Sequence, residues 1–241
     1  MRLLLPEARP LSPDDLHDLY DFDERSCLRA GFVLTTDGGI AYDGGSRPLQ
    51  SPADEEVFHV LRAVADAVVV GAGTARSEQY GPVRPRPAGA AWRARHARMA
   101  VPPLVILSRS LDLDPAARCF QGSTVVVTCA SADPDRRDRL AEVADVVVAG
   151  ADQVDLPATV GALHERGLTR LLCEGGPRLL TSLLQAGLVD ELCLTLTPLL
   201  VGTAAQLLTE PLSTSRPLEL RHLVDGGGSV LLARYAVSRA A

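Results

Sequence analysis

Residues able to do chemistry crowd into the stretch Leu171-Leu172-Cys173-Glu174-Gly175-Gly176-Pro177, where a carboxylate stands against two glycines and a proline. Residues 169–173 form a short apolar run of the kind a buried strand needs, and Pro177 has the fixed φ and missing N–H that suit a first helical position. Leu179, Leu180, Leu183 and Leu184 then recur on one helical face until Gly187. The N–H groups at such a helix start have no intrahelical partner, and with the positive end of the helix dipole they favour an anion such as phosphate. Gly175 and Gly176 carry no side chain to keep it away, and Arg178 in the first turn opposes the dipole unless an anion offsets it. A tight strand-to-helix turn that needs glycine for positive φ fits the same residues.

A second glycine turn follows an apolar run at Val68-Val69-Val70-Gly71-Ala72-Gly73-Thr74-Ala75-Arg76. It begins like a dinucleotide fingerprint, but Arg76 stands at the third glycine position, so Gly71 and Gly73 alone are weak evidence for one. With Thr74 as a cap, the turn would again aim N–H groups at an anion. A third glycine-dense stretch contains Thr35-Thr36-Asp37-Gly38-Gly39 and Asp43-Gly44-Gly45-Ser46-Arg47, either a ligand loop or a connection whose glycines only supply turns. Hydrolytic and phosphotransfer parts are missing. There is no GxSxG, no HExxH and no P-loop lysine, since the chain contains no lysine. The five cysteines form no CxxC pair and no metal-ligand spacing with the five histidines, so no metal is expected. Chemistry supplied by a bound cofactor is the reading these absences leave.

The elements that must position these turns alternate apolar runs with amphipathic segments, the pattern of a sheet covered by helices on both faces. Strands are expected at 29–35, 67–70, 103–107, 124–128, 145–149, 169–173, 191–197, 218–223 and 230–237, and helices at 52–64, 134–143, 157–166 and 177–186, each with Pro near its first turn. The last two strands flank Asp225-Gly226-Gly227-Gly228 and read as an antiparallel hairpin added to a mainly parallel sheet. Residues 1–26 read as an arm laid over the domain, with a short helix at 14–19. The proline- and arginine-rich stretch 80–103, which holds the sole Trp92, reads as a long mobile loop with a short helix inside it.

With 241 residues, 46% of them hydrophobic, the chain can bury a substantial core. A net charge of −6 and 4% aromatic residues speak against nucleic acid as the ligand. No apolar span is long enough for a membrane helix or a signal h-region, and a cytoplasmic protein is expected.

Taken in order, the Asp37-Gly38 loop, the Gly71–Thr74 turn and Glu174-Gly175-Gly176-Pro177, followed by Leu183-Leu184-Gln185-Ala186-Gly187-Leu188-Val189-Asp190-Glu191-Leu192, resemble the riboflavin-biosynthesis pyrimidine reductase domain family in a stand-alone form. The resemblance spans roughly residues 28–236 and implies a dihydrofolate-reductase-like α/β fold, with one reductase domain at 27–241 behind the 1–26 arm. It implies NADPH as cofactor, contacted by Gly71, Gly73, Thr74, Ser108 and the turn Gly175, Gly176, Pro177, Arg178 and Leu179. Arg109 is the partner expected for the 2′-phosphate. On the substrate side it implies Ser46, Arg62, Arg84 and Glu174, with Glu174 and Asp37 as the groups that orient substrate and manage a proton. The implied reaction is hydride transfer to a 5-amino-6-ribosylamino-pyrimidinone phosphate. Dihydrofolate or dihydropteridine reduction and a non-catalytic NADP-binding paralogue are the alternatives. A Rossmann-type dehydrogenase would bind NADH comparably. The family's Ala-Asp-Asp-Pro is replaced here by Ser77-Glu78-Gln79-Tyr80-Gly81-Pro82, and no zinc-deaminase motif is present. A homodimer is expected from the family, with the apolar region 192–201 as its surface.

Overall fold

A computed structural model of the chain describes residues 1–23, 26–202 and 205–238, so residues 24 and 25 of the expected arm and 203, 204 and 239–241 of the expected domain lie outside the described residues. In chain order the elements are β1 (Arg2–Leu5), β2 (Arg9–Pro10), α1 (Pro13–Leu19), β3 (Cys27–Thr35), α2 (Pro52–Val64), β4 (Ala67–Gly71), α3 (Ala72–Ser77), α4 (Pro87–Arg95), β5 (Leu104–Leu107), β6 (Thr124–Thr128), α5 (Pro134–Ala141), β7 (Asp145–Val148), α6 (Leu156–Glu165), β8 (Arg170–Cys173), α7 (Pro177–Gln185), β9 (Glu191–Thr197), β10 (Leu218–Gly227) and β11 (Val230–Val237). Helices begin where proline follows a capping side chain. Ser51, Asp133 and Asp155 accept the N–H of Asp54, Arg136 and Ala158, at the starts of α2, α5 and α6.

All these strands join one sheet in the order β2-β1-β10-β11-β9-β3-β8-β4-β5-β6-β7. From β9 to β7 every neighbouring pair is parallel, while β11, β10, β1 and β2 continue the sheet antiparallel at one edge. One face packs on α1, α2 and α4 through Leu16, Val57, Leu61 and Trp92, and the other on α6 and α7 through Leu163, Leu180, Leu183 and Leu184. Of the central parallel strands β3, β8 and β4, β4 is buried on both faces and reads as a continuous apolar run, whereas β3 carries the buried Arg29 and is only half-buried from Gly31 to Leu34. Their carboxyl ends carry the three glycine-dense turns, and in open α/β sheets that rim is where ligands bind. No helix among the described residues is long and apolar enough to cross a membrane.

Two expectations change. The N-terminal arm does not merely lie over the sheet: β1 pairs with β10 and adds two strands to its edge, while Leu16 and Tyr20 enter the core. At ten residues β10 is longer than expected, and its outer backbone groups need the partner that β1 supplies. The stretch 80–103 holds the short helix expected there, α4, but is packed against the core and is not a loose loop. Trp92 is fully buried and donates from Nε1 to Asp18 at 3.1 Å, and the buried Arg93 donates to the carbonyl oxygens of Ala63 and Ala65 at 2.7 and 2.6 Å. Those carbonyls end α2, where no intrahelical donor remains, so a residue that reads as solvated surface charge serves as an internal helix cap.

Candidate functional site

The glycine turns after β4 and β8 are one structure. These strands are neighbours, and their pairing continues past both ends: Glu174 donates its N–H to the Val69 carbonyl at 2.9 Å, and Gly71 donates to the Gly175 carbonyl at 2.7 Å. Gly175 has a φ of +96°, and a Cβ on it would meet the Phe32 ring at 3.0 Å. The peptide joining it to Gly176 is cis. A Cβ on Gly176 would stand 2.4 Å from the Thr74 hydroxyl oxygen, so a side chain there would have to displace Thr74. Thr74 is therefore not the cap of α3. Gly71 occupies that position, and Thr74 lies inside the helix with its side chain towards Gly176. At α7 the N-cap is Gly176, with no capping side chain and no acidic residue in the first turn, so the Arg178 and Leu179 N–H groups are left for a ligand.

Thr74, Gly176 and Pro177 open onto a cavity of about 260 Å³, whose lining also includes Phe32, Ser46, Asp54, Phe58, Tyr80, Glu174 and Thr195. In its wall Glu174 is nearly enclosed and holds Arg62 in a two-pronged ion pair, Nε to Oε1 and NH2 to Oε2, both at 2.7 Å. The Tyr80 hydroxyl donates to Oε2 at 2.8 Å. The Arg62 guanidinium also lies over the Phe58 ring at 4.1 Å and the Tyr80 ring at 5.5 Å. Burial works to lower the Arg62 pKa, but the Glu174 carboxylate overrides it and leaves the guanidinium more firmly charged than usual. Burial, and then the Glu174 charge, push the Tyr80 phenol well above its ordinary range, so it stays a donor.

Next to this cavity, and sharing Ser46, Phe58 and Tyr80 with it, is a hollow of about 420 Å³ edged by Arg47, Arg62, Arg84, Arg118 and His59. Arg47, Arg84 and Arg118 are exposed and form no ion pair with any described residue, whereas Arg86 nearby is taken by Glu55. Burial, and then Arg86 and Arg62, depress the His59 pKa, so its imidazole is neutral near pH 7.

The site residues inferred from sequence thus fall into three groups. Glu174, Arg62, Ser46 and Arg84 converge on the paired cavities, and Thr74, Gly71, Gly73, Gly175, Gly176, Pro177, Arg178 and Leu179 lie on or beside the double turn. Ser108 follows Leu107, the register partner of Gly71, and its hydroxyl accepts the Leu111 N–H at 3.0 Å, while Arg109 is exposed and forms no ion pair with any described residue.

Asp37 is the exception, because it does not join Glu174 in the cavity. It sits on the surface, accepts hydrogen bonds from the Thr35 hydroxyl at 2.5 Å and the Gly202 N–H at 2.7 Å, and so ties the turn after β3 to the chain beyond β9. The Thr35 hydrogen bond, with help from the Gly202 and Val201 N–H groups, holds its carboxyl below the usual range. A carboxylate occupied this way is a poor proton carrier, and Asp37 is better read as a turn fastener. Sequence reasoning missed Tyr80, Asp54 and Arg118. Only the departure from the family pattern at 77–82 pointed near any of them.

Residues 27–232 match the family model of the RibD C-terminal domain. The 2,5-diamino-6-ribosylamino-4(3H)-pyrimidinone 5′-phosphate reductase of Methanothermobacter thermautotrophicus is 34% identical over 198 residues, which are 81% of this chain and 82% of that one. Among solved structures, a pyrimidine reductase-like protein from Corynebacterium diphtheriae superposes with a TM-score of 0.79 at 30% identity, over 89% of this chain and 93% of that one. The dihydrofolate reductase of Schistosoma mansoni, at a TM-score of 0.50 and 16% identity over 89% of this chain and all of that one, shares the fold alone.

Proposed function

The chain belongs to the RibD C-terminal domain family, and we propose that it is an NADPH-dependent reductase acting on 2,5-diamino-6-ribosylamino-4(3H)-pyrimidinone 5′-phosphate. The observation that carries this reading is the double glycine turn opening onto a cavity that continues into an arginine-edged hollow. One end suits a dinucleotide's phosphates, the other a sugar phosphate, and the apolar space between them suits two flat rings.

The residues present fit the cofactor. Gly176 brings the two glycine turns together against Thr74, and the uncapped start of α7 presents N–H groups and dipole to a pyrophosphate. Ser108 and Arg109, at the end of β5 beside the Gly71 turn, suit the 2′-phosphate. When bound, the dinucleotide supplies a hydride. The chain's own residues do the rest. Arg84, Arg47 and Arg118 would hold the substrate phosphate, leaving the opened ribosylamine to extend from there into the cavity. Glu174 holds Arg62 rigid between the Phe58 and Tyr80 rings, and Tyr80 remains protonated beside it, fixing the polar wall against which the sugar hydroxyls align. Reduction adds hydride at C1′ and a proton at the attached nitrogen, giving a ribitylamine. Glu174 accepts from Arg62 through both oxygens and from Tyr80, so we assign it to holding this wall in place.

Steady-state consumption of NADPH by the purified protein tests the reading. Oxidation that requires the ribosylamino-pyrimidinone phosphate supports it, and tight NADPH binding with no turnover of that compound would sink it.

A further inference from the structure

Three carboxylates are buried among the described residues. Glu174 is paired with Arg62, and Glu191 with Arg29 and Arg234. The third, Asp54, is 7% exposed, lines the cavity, and has no ion pair with any described residue. It lies in the first turn of α2, where the helix dipole favours an acid, but that role asks for no burial. Its neighbour Glu55 shows the ordinary outcome, exposed and paired with Arg86. The α2 face that carries Asp54 continues through Val57, Phe58 and Leu61, all lining the same cavity, and Thr195 of β9 closes on it from the sheet. Burial raises the Asp54 pKa, the Thr195 hydroxyl lowers it, and the Glu55 charge raises it again. A buried carboxylate with no cation is costly unless a ligand brings donors to it.

We propose that Asp54 is the residue that selects a pyrimidine bearing an amino group at C2, its two oxygens receiving one N–H of that amino group and the adjacent ring N3–H. This rests on the substrate reading above and deepens it. In a 2-amino-4(3H)-pyrimidinone those two donors lie side by side, matched to a carboxylate as a guanidinium fork is. In the corresponding uracil the C2 substituent is a carbonyl oxygen, which would face a carboxylate oxygen lone pair to lone pair. An unpaired buried acceptor is penalised more than a missing attraction, so the discrimination is expected to be large. An asparagine at the same position could donate to the C2 carbonyl while still accepting from N3–H, which reverses the match without changing shape.

The test is calorimetric binding of the two reduced products, 2,5-diamino-6-ribitylamino-4(3H)-pyrimidinone 5′-phosphate and its 2-oxo counterpart, to the full chain and to Asp54→Asn. The wild type is expected to prefer the 2-amino compound by at least about tenfold, and Asp54→Asn to reduce that ratio by at least about tenfold through weaker 2-amino and stronger 2-oxo binding. A wild-type ratio near one overturns the proposal without needing the variant, and so does a folded Asp54→Asn that keeps the wild-type ratio. The hydride-transfer reading fails separately: a chain that shows the preference in binding but never consumes NADPH retains Asp54 as selector and loses the reductase assignment. Binding of neither product overturns both.

Discussion

Removing the Arg62 side chain by Arg62→Met probes the polar wall of the site most sharply. The Glu174 carboxylate is 4% exposed and Arg62 17%, so the pair is largely desolvated, and both guanidinium contacts are 2.7 Å. Methionine fills much of the volume and keeps the contact with Phe58, so the loss is mainly electrostatic: a buried carboxylate is left with only the Tyr80 hydroxyl. Breaking a buried pair from one side costs about 3–5 kcal/mol, and the partial exposure of Arg62 points to the lower end, about 3 kcal/mol. For a chain of this length that corresponds to a fall in Tm of roughly 6–12 °C. The assay is equilibrium urea unfolding followed by circular dichroism. The decisive arm is the double variant Arg62→Met with Glu174→Gln, which removes the stranded charge and is expected to regain about 1–2 kcal/mol over Arg62→Met alone. The double variant should also be stable enough to assay and still inactive, because the wall facing substrate is gone. Loss of less than about 1 kcal/mol in Arg62→Met, or strictly additive losses in the double variant, would refute the claim that this pair is desolvated and coupled.

Gly176→Ala places a Cβ 2.4 Å from the Thr74 hydroxyl, so NADP binding measured by calorimetry should weaken at least about tenfold, and Thr74→Gly in the same chain should restore part of it. Arg109→Ala is expected to reduce the NADPH-over-NADH preference in kcat/KM while leaving NADH kinetics nearly unchanged; an unaltered preference would point to another cation for the 2′-phosphate. His222 packs edge-on against Tyr20 at 4.6 Å, and burial, followed by Arg234 and Arg29, depresses its pKa to about 3. Because the folded value lies below the unfolded one of about 6.5, the stabilisation is fully present above that pH and is lost as pH falls from there towards 3. Unfolding free energy between pH 6 and 5 should therefore drop by about 1 kcal/mol more in the wild type than in His222→Phe, a window chosen above the carboxylate range.

Much of the fold was legible because its signals are local. Proline after a capping serine or aspartate marked α2, α5 and α6, and the short β-branched runs of β4 and β6 could only be buried strands. The short β1 and β2 carried no such signal, since their pairing is set by the exposed edge of β10 more than two hundred residues away. Trp92 and Arg93 looked like surface because arginine and proline surround them; only the contact between α4 and the end of α2 shows them as interior.

The site followed the same division. The Glu174-Gly175-Gly176 turn declares itself through glycine, which has few other reasons to double beside a helix start. Asp54 was hidden because an acid in a first turn is what the dipole would place there anyway, and nothing in the sequence tells a buried one from the exposed Glu55 beside it. Tyr80 lies in a segment that departs from the family pattern, and its partner Glu174 is 94 residues further along the chain. Asp37 misled for the opposite reason. Asp-Gly after a strand marks a ligand loop and a hydrogen-bonded turn equally well, and here the turn claims the carboxylate.

The central claim is that hydride reaches the sugar carbon of a pyrimidine bound between the glycine double turn and the arginine-edged hollow. Single-turnover reaction of the chain with NADPH deuterated at nicotinamide C4 and 2,5-diamino-6-ribosylamino-4(3H)-pyrimidinone 5′-phosphate, read by mass spectrometry and NMR of the product, tests it directly. Deuterium at C1′ of a ribityl side chain is the predicted result. Unchanged substrate beside unoxidised cofactor, or deuterium anywhere but C1′, would contradict the account.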